Sequence, residues 1–244
     1  LEQAQEEPER PWLLHLCYNT PHFPLETPDD LIEKYRGRYM DGWDELSMQK
    51  LERQKEMGLV HPNLRHRPNL SFSNVQLSPK IPMKFGMPGN RITPWKKLNE
   101  TARQELDFRR AMYAGQVDNM DQNIGRIIDL LRERKILDNT LILFLSDNGC
   151  SGETGDFGMN WGSYREDNYE EWKKKSGWSI SQGACWAAYS NVPFKMYKKF
   201  VHEGGIATPL IAHWPAGIGD PGRIETDAVL HLVDVFPTLL DLAG

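Results

Sequence analysis

The sequence predicts an α/β fold, with a mostly parallel, mixed central sheet sandwiched between helices, and three observations predict it. Leu141 to Leu145 is an unbroken apolar run, the pattern of a strand buried on both faces. The run stops abruptly in Ser146-Asp147-Asn148-Gly149, and open α/β sheets bind ligands in the crevice beyond the carboxyl ends of their strands. Ahead of it, Tyr113, Val117, Met120, Ile124, Ile127 and Leu131 recur at spacings of four and three, an apolar stripe on a long amphipathic helix. Asp138-Asn139-Thr140 then turns that helix into the strand, giving the helix-to-strand unit that covers a parallel sheet.

The remaining elements follow in chain order. Trp12 to Tyr18 reads as a buried strand, broken by Asn19-Thr20-Pro21-His22-Phe23-Pro24. Asp29 to Tyr35 and the charged segment Asp41 to Met57 read as helices. Pro62, Pro68, Pro79, Pro82, Pro88 and Pro94 forbid a long helix or a central strand, so 58–100 is expected to be a long surface loop, either the rim of an active site or a floppy insert. Thr101-Ala102-Arg103-Gln104 fits a capping box at the start of the long helix. Residues 150–197 show no clear period and carry Phe157, Trp161, Tyr164, Tyr169, Trp172, Trp178, Trp186 and Tyr189, as a second long loop. Each aromatic is most simply packing the loop onto the body; as a set they also suit a sugar or aryl ring. Thr208 to Trp214 reads as a strand, Ala228 to Val233 as a short strand or turn, and Asp234 to Leu242 as a closing helix.

Composition bounds the function. With 244 residues, 39% hydrophobic and 26% charged, the chain has the composition of one large globular α/β domain. A net charge of −5 argues against nucleic acid as a partner, and Arg132 to Lys135 and Lys173 to Lys175 read as solvated faces. No apolar run approaches the roughly 20 residues of a membrane span. Cys17, Cys150 and Cys185 show no CxxC spacing and are odd in number, so at least one is unpaired within the chain. Leu1 to Glu7 resembles the tail of a helix already under way, and Leu239 to Gly244 a helix just stopped. Both ends are expected to be cuts within a larger protein.

Asp147 offers a carboxylate and Asn148 an amide oxygen, which are ligands for a hard cation such as Ca²⁺. Asp-Asn-Gly also makes an ordinary turn, and on these residues alone the two readings stay open.

Six segments in order carry a resemblance. They are Asn19 to Leu25, Tyr39-Met40-Asp41-Gly42-Trp43-Asp44, Tyr113 through Gly125, and Asn139 to Gly149; then Tyr197-Lys198 with Glu203-Gly204-Gly205-Ile206 and Pro209, and last Asp234-Val235-Phe236-Pro237-Thr238-Leu239. Together they resemble the sulfatase family, within the alkaline-phosphatase-like superfamily. The resemblance implies a partial three-layer α/β/α sandwich, with residues 1–244 a fragment of one catalytic domain. It implies that His22 faces the sulfate and its leaving oxygen, and that Lys198, with Lys199 as its neighbour, contacts both. Asp147 and Asn148 would be two ligands of a divalent cation, usually Ca²⁺. Glu203-Gly204-Gly205 is read as a turn shaping the site, and Asp121, His202, His213 and His231 as structural.

The family's nucleophile, a formylglycine made from Cys or Ser in a Cys/Ser-x-Pro-x-Arg motif, does not match Cys17, Cys150 or Cys185 and is expected upstream, with an Asp-Asp pair that completes the metal site. The reading is therefore a sulfuric ester hydrolase acting on a sulfated small molecule or glycan in the parent protein, the fragment itself inactive. The rivals are a phosphodiesterase or phosphonate hydrolase of the same superfamily and a non-catalytic sulfated-glycan-binding relative. A secreted or periplasmic location is what the resemblance favours; oligomeric state is left open.

Overall fold

The computed structural model describes Glu6 and residues 10–65, 92–152, 155–159 and 180–244. Residues 20–224 form one compact unit, and the two ends of the chain, 1–19 and 225–244, form another. The expectations for Leu1 to Glu7 (Glu6 apart), for Pro68 to Pro88, for Trp161, Tyr164, Tyr169, Trp172 and Trp178 and for Lys173 to Lys175 lie outside the described residues.

In the larger unit, helix α1 (Asp29–Tyr35) has Asp29 and Asp30 in its first turn and Lys34 in its last, charges that complement the helix dipole. Its Leu31 and Ile32 are buried, and Ile32 joins a core with Leu25, Phe108, Ala111, Met112 and Ile180. Helix α2 (Gly42–Glu56) opens at a glycine for two reasons. Gly42 has φ +77°, and a Cβ there would lie 2.1 Å from the Trp95 ring. Trp43 packs edge-on against Trp95 and Trp186 at 4.8 and 5.1 Å between ring centroids. Asp44 accepts the Trp95 amide at 2.7 Å, and the Trp95 indole donates to the Met40 carbonyl at 2.9 Å. The Tyr39 to Asp44 motif thus builds an aromatic core. Trp95, in a 3₁₀ turn at Trp95–Lys97, is buried in it, so the end of the expected surface loop is packed inside the protein.

Helix α3 (Glu100–Glu133) is capped by Asn99, whose side chain accepts the Ala102 amide at 2.9 Å. Thr101 lies inside the helix, which corrects the expected capping box: asparagine is among the best N-cap residues and stands two positions earlier. The helix itself is as predicted, but its buried part is not the stripe. Glu105 to Met112, Gly115 and Gln116 are buried, whereas Val117 is 36% exposed and, of the six stripe residues, Leu131 is buried. Its buried charges are matched. Arg109 donates to Glu105 at 2.7 Å and to the carbonyls of Met159 and Ser181, and Asp107 accepts the amides of Gly37 and Tyr39. Burial pushes the Asp107 carboxyl up, and those two amides pull it back.

A 3₁₀ turn at Leu137–Asn139 leads into strand β1 (Ile142–Leu145). Helix α4 (Gly183–Ser190) lies within the segment expected to be a loop, which it corrects. Gly183, Ala184, Cys185, Trp186, Ala187 and Ala188 are all buried, and a helix apolar on every side has no stripe from which a period can be read. A short turn of helix, α5 (Glu203–Ile206), precedes strand β2 (Leu210–His213). β2 pairs antiparallel with β1, Ile142 opposite His213 and Leu145 opposite Leu210. Among the described residues this pair is the sheet, and β1 is half-buried with Phe144 exposed, not covered on both faces. Mixed sheets commonly carry such an antiparallel pair.

In the smaller unit, Trp12 to Tyr18 is exposed and forms no strand among the described residues, contrary to expectation; the apolar composition was right for a strand, but no described strand pairs with it. Residues 228–231 form no strand, and Leu232–Asp234 is a 3₁₀ turn. His231 caps that turn, accepting the Val233 amide while its own amide donates to Asp234. Helix α6 (Val235–Ala243) closes the chain, and Asp234 is the residue that reciprocates the cap, a structural role. No helix among the described residues is long and apolar enough to cross a membrane.

Candidate active site

The site lies where β1 ends. Thr208 donates to the Ser146 carbonyl at 2.8 Å, holding the end of β1, and the Ser146 hydroxyl donates to the Asn148 carbonyl at 3.0 Å. Gly149 is buried, and its amide donates to the Gly205 carbonyl at 3.1 Å. A Cβ on Gly149 would stand 1.7 Å from the Gly204 carbonyl oxygen, so this glycine lets two backbones touch, while Cβ atoms on Gly204 and Gly205 would meet the carbonyls of Met196 and Phe200 at 2.1 and 2.0 Å. The turn-shaping role expected of residues 203–205 is thus seen in this contact.

Asp147 is exposed and Asn148 half-buried. The Asn148 amide group donates to the Gly149 carbonyl at 3.0 Å, which leaves its oxygen turned to other use. Among the described residues the Asp147 carboxylate and the Asn148 side-chain oxygen accept no hydrogen bond. These side chains, with no described donor on their oxygens, suit a hard cation in kind, although they supply only part of the 6–8 oxygens that Ca²⁺ takes. Among the described residues no group of three or more His, Cys, Asp or Glu is placed to hold a metal.

His22 comes from the segment ahead of α1. Its segment is fixed from below: the Leu25 amide donates to the Ile180 carbonyl at 2.9 Å, Thr27 to the Met112 carbonyl at 2.7 Å, and Gln116 to the Pro24 carbonyl at 3.3 Å. The ring stacks on Phe23 at 4.7 Å, and Nδ1 lies 2.8 Å from the Phe23 carbonyl oxygen. A carbonyl only accepts, so Nδ1 carries the ring proton and Nε2 presents its lone pair. Nε2 lies 3.0 Å from Lys198 Nζ, although 176 positions separate the two residues. It is Lys198, not Lys199, whose ammonium meets His22.

Lys198 is held by its neighbours. Its amide donates to the Cys150 carbonyl at 3.0 Å, two residues beyond Asn148. Tyr197 is buried with its ring edge-on to Phe200 at 5.2 Å, and burial drives its phenol well above the ordinary range. Met196 and Lys199 flank this pair with φ of 72° and 80°, a region that non-glycine residues enter at a cost. Cys150 is a further fixed point: Gln182 donates to its sulfur at 2.8 Å, its thiol faces the Tyr113 hydroxyl at 3.6 Å, and its amide donates to Asn191 at 3.0 Å.

Of the four residues singled out from the sequence, then, His22 and Lys198 are in contact, and Asp147 and Asn148 sit together on the loop that Cys150 ties to Lys198. Gln182, Asn191 and Cys150 escaped the sequence reading, since an asparagine ahead of Val-Pro signals a turn and little else. All three cysteines are free. A cavity of about 480 Å³ beside α3, lined by Tyr35, Lys50, Arg110, Tyr113, Asp118 and Asp121 among others, contains none of the four.

Residues 1–244 match the sulfatase family. The chain is 30% identical over 242 residues to an uncharacterized sulfatase of Schizosaccharomyces pombe, covering 97% of this chain and 40% of that protein. It is 29% identical over 246 residues to an arylsulfatase of Klebsiella aerogenes, covering 97% of this chain and 47% of the relative. It is 32% identical over 140 residues to an N-acetylgalactosamine-6-sulfatase of Sus scrofa, covering 56% of this chain and 20% of the relative. The chain thus spans less than half the length of these relatives. With the family's motifs in order and the match running from end to end, the chain belongs to the sulfatase family, and its α/β fold is the alkaline-phosphatase-like one.

Proposed function

We propose that the full-length protein hydrolyses a sulfate monoester of an aryl or glycan substrate and that His22, Lys198, Asp147 and Asn148 are its contribution from this chain. The contact of Lys198 Nζ with His22 Nε2 carries the reading. A sulfate ester has charged non-bridging oxygens and a poor leaving group. Lys198 would hold a sulfate oxygen and offset the charge that grows on it. His22, its Nδ1 proton committed to Phe23, would accept from the Lys198 ammonium on Nε2 and orient it, and Lys198 would give a proton to the departing alkoxide. Asp147 and Asn148 would hold the cation, here taken as Ca²⁺, which when bound polarises the sulfate. The nucleophile of this reading, a formylglycine, would come from outside this chain.

The experiment is to assay the full-length protein on 4-nitrophenyl sulfate, 4-nitrophenyl phosphate and bis(4-nitrophenyl) phosphate. Preferred turnover of the sulfate, lost in His22→Ala and Lys198→Ala, is the expected result. A preference for the phosphodiester would move the protein to the phosphodiesterase branch. Binding of a sulfated glycan without turnover would make it a binder.

A further inference from the structure

We infer that Asn191 is the positioning residue that sets Lys198 against the Asp147-Asn148 loop; the inference rests on the proposed sulfatase reading of that site. The Asn191 side chain uses both of its ends. Its oxygen accepts the Cys150 amide at 3.0 Å, and its NH₂ group donates to the Met196 carbonyl at 3.1 Å. One bond grips the loop that carries Asp147 and Asn148. The other grips the residue two before Lys198, and that residue is the strained one: Met196 is buried and has φ 72°. A non-glycine residue stays in this region when its surroundings over-determine it, and the Asn191 bond is one of those constraints. The direct bond from the Lys198 amide to the Cys150 carbonyl closes a ring through Asn191, Cys150, Lys198 and Met196.

The backbone of Asn191 anchors the clamp from the other side. Its amide donates to the Ala187 carbonyl at the end of α4, and its carbonyl accepts the Phe194 amide at 2.8 Å. The clamp is therefore referred to the buried helix that carries Trp186. A side chain with one acceptor and one donor at this spacing is needed; aspartate has the size but offers a carboxylate to the Met196 carbonyl, where donation is required.

The test uses the full-length protein and a series of aryl sulfates of differing leaving-group ability, from phenyl sulfate to 4-nitrophenyl sulfate. Asn191→Ala is expected to lower kcat about 10- to 100-fold, the scale of a misplaced catalytic group, with KM little changed. The loss should be larger for phenyl sulfate than for 4-nitrophenyl sulfate, because a poor leaving group depends most on the displaced Lys198 and His22. Asn191→Asp should show the same pattern, and provides the measurement if the alanine variant does not fold. Adding either substitution to Lys198→Ala should cause no further loss. Equal losses on every substrate, or losses that multiply with that of Lys198→Ala, would overturn the inference while leaving the site standing. If Lys198→Ala itself leaves turnover unchanged, the assignment of the lysine fails, and the inference with it.

Discussion

The carbonyl of Cys150 accepts the backbone amide of Lys198 at 3.0 Å, so the loop leaving β1 is tied to the lysine that meets His22. Main chain, not side chain, makes this link, and beside it Gly149 approaches Gly204 more closely than a Cβ permits.

Gly149→Ala tests that approach. The added methyl would stand 1.7 Å from the Gly204 carbonyl oxygen, a backbone atom that cannot swing aside. Overpacking of this kind costs about 1–3 kcal/mol, and the loop must shift to relieve it. Urea denaturation should show the loss of stability, and activity in the full-length protein should fall further than unfolding explains. Normal stability and activity would mean the two loops are not packed together.

Trp186→Ala tests the aromatic core. Trp186 is fully buried, touches Trp43, Trp95, Tyr39 and Tyr189, and donates from its indole to the Leu106 carbonyl at 2.9 Å. Truncation of such a side chain costs about 3–5 kcal/mol. The thermal midpoint should drop sharply, by differential scanning calorimetry, with the chain at the edge of folding.

How much of this was legible beforehand follows from what each residue does. The helix ending at Glu133, the strand ending at Leu145 and the Asp147-Asn148 pair were readable because local pattern decides them. His22 and Lys198 were singled out through motifs matched in order, and their contact is a fact of the tertiary fold. The burial of α3 was misjudged because its most buried stretch, Glu105 to Arg110, contains Glu105, Asp107, Arg109 and Arg110, charges that look solvated until their partners are known. Helix α4 was invisible because it is apolar all round, and Asn191 because its partners are backbone atoms of residues 41 and 5 positions away.

Lys50 makes stability depend on pH. It is half-buried on α2, beside the end of α4, donating to the carbonyls of Tyr189 and Ser190 at 3.3 and 2.6 Å. Burial, and then the charge of Arg110, lower its pKa from 10.5 to about 8, while the two helix carbonyls favour the charged form. The native state gives up this proton near pH 8, whereas the unfolded chain keeps it up to about 10.5. Between those values the unfolded state binds more protons, so this group's contribution to stability rises with pH, by at most about 3 kcal/mol. The buried Cys185 thiol and Tyr197 phenol are pushed up and work in the opposite direction over their own range. The measurement is therefore a difference: urea stability of wild type minus Lys50→Met, which should grow between pH 8 and 10. A flat difference would show that the carbonyls hold the proton in place.

Asp147 and Asn148 bring at most three side-chain oxygens, and among the described residues no acidic cluster supplies the rest, while Ca²⁺ takes about 6–8. The 244-residue chain by itself should therefore bind Ca²⁺ weakly by isothermal titration calorimetry, with no saturation at micromolar concentrations. It should not turn over 4-nitrophenyl sulfate, since His22 and Lys198 have no recognised nucleophile in this sequence to assist, and residues that act as a unit lose their effect together. In the full-length protein Asp147→Ala should remove Ca²⁺-dependent activity and leave the fold intact, because Asp147 is exposed and holds no described partner. Turnover by the isolated chain, lost on Asp147→Ala, would place both a nucleophile and a complete metal site within these 244 residues. The division of labour argued here, with this chain supplying the leaving-group side and another part of the protein the attacking side, would then be wrong.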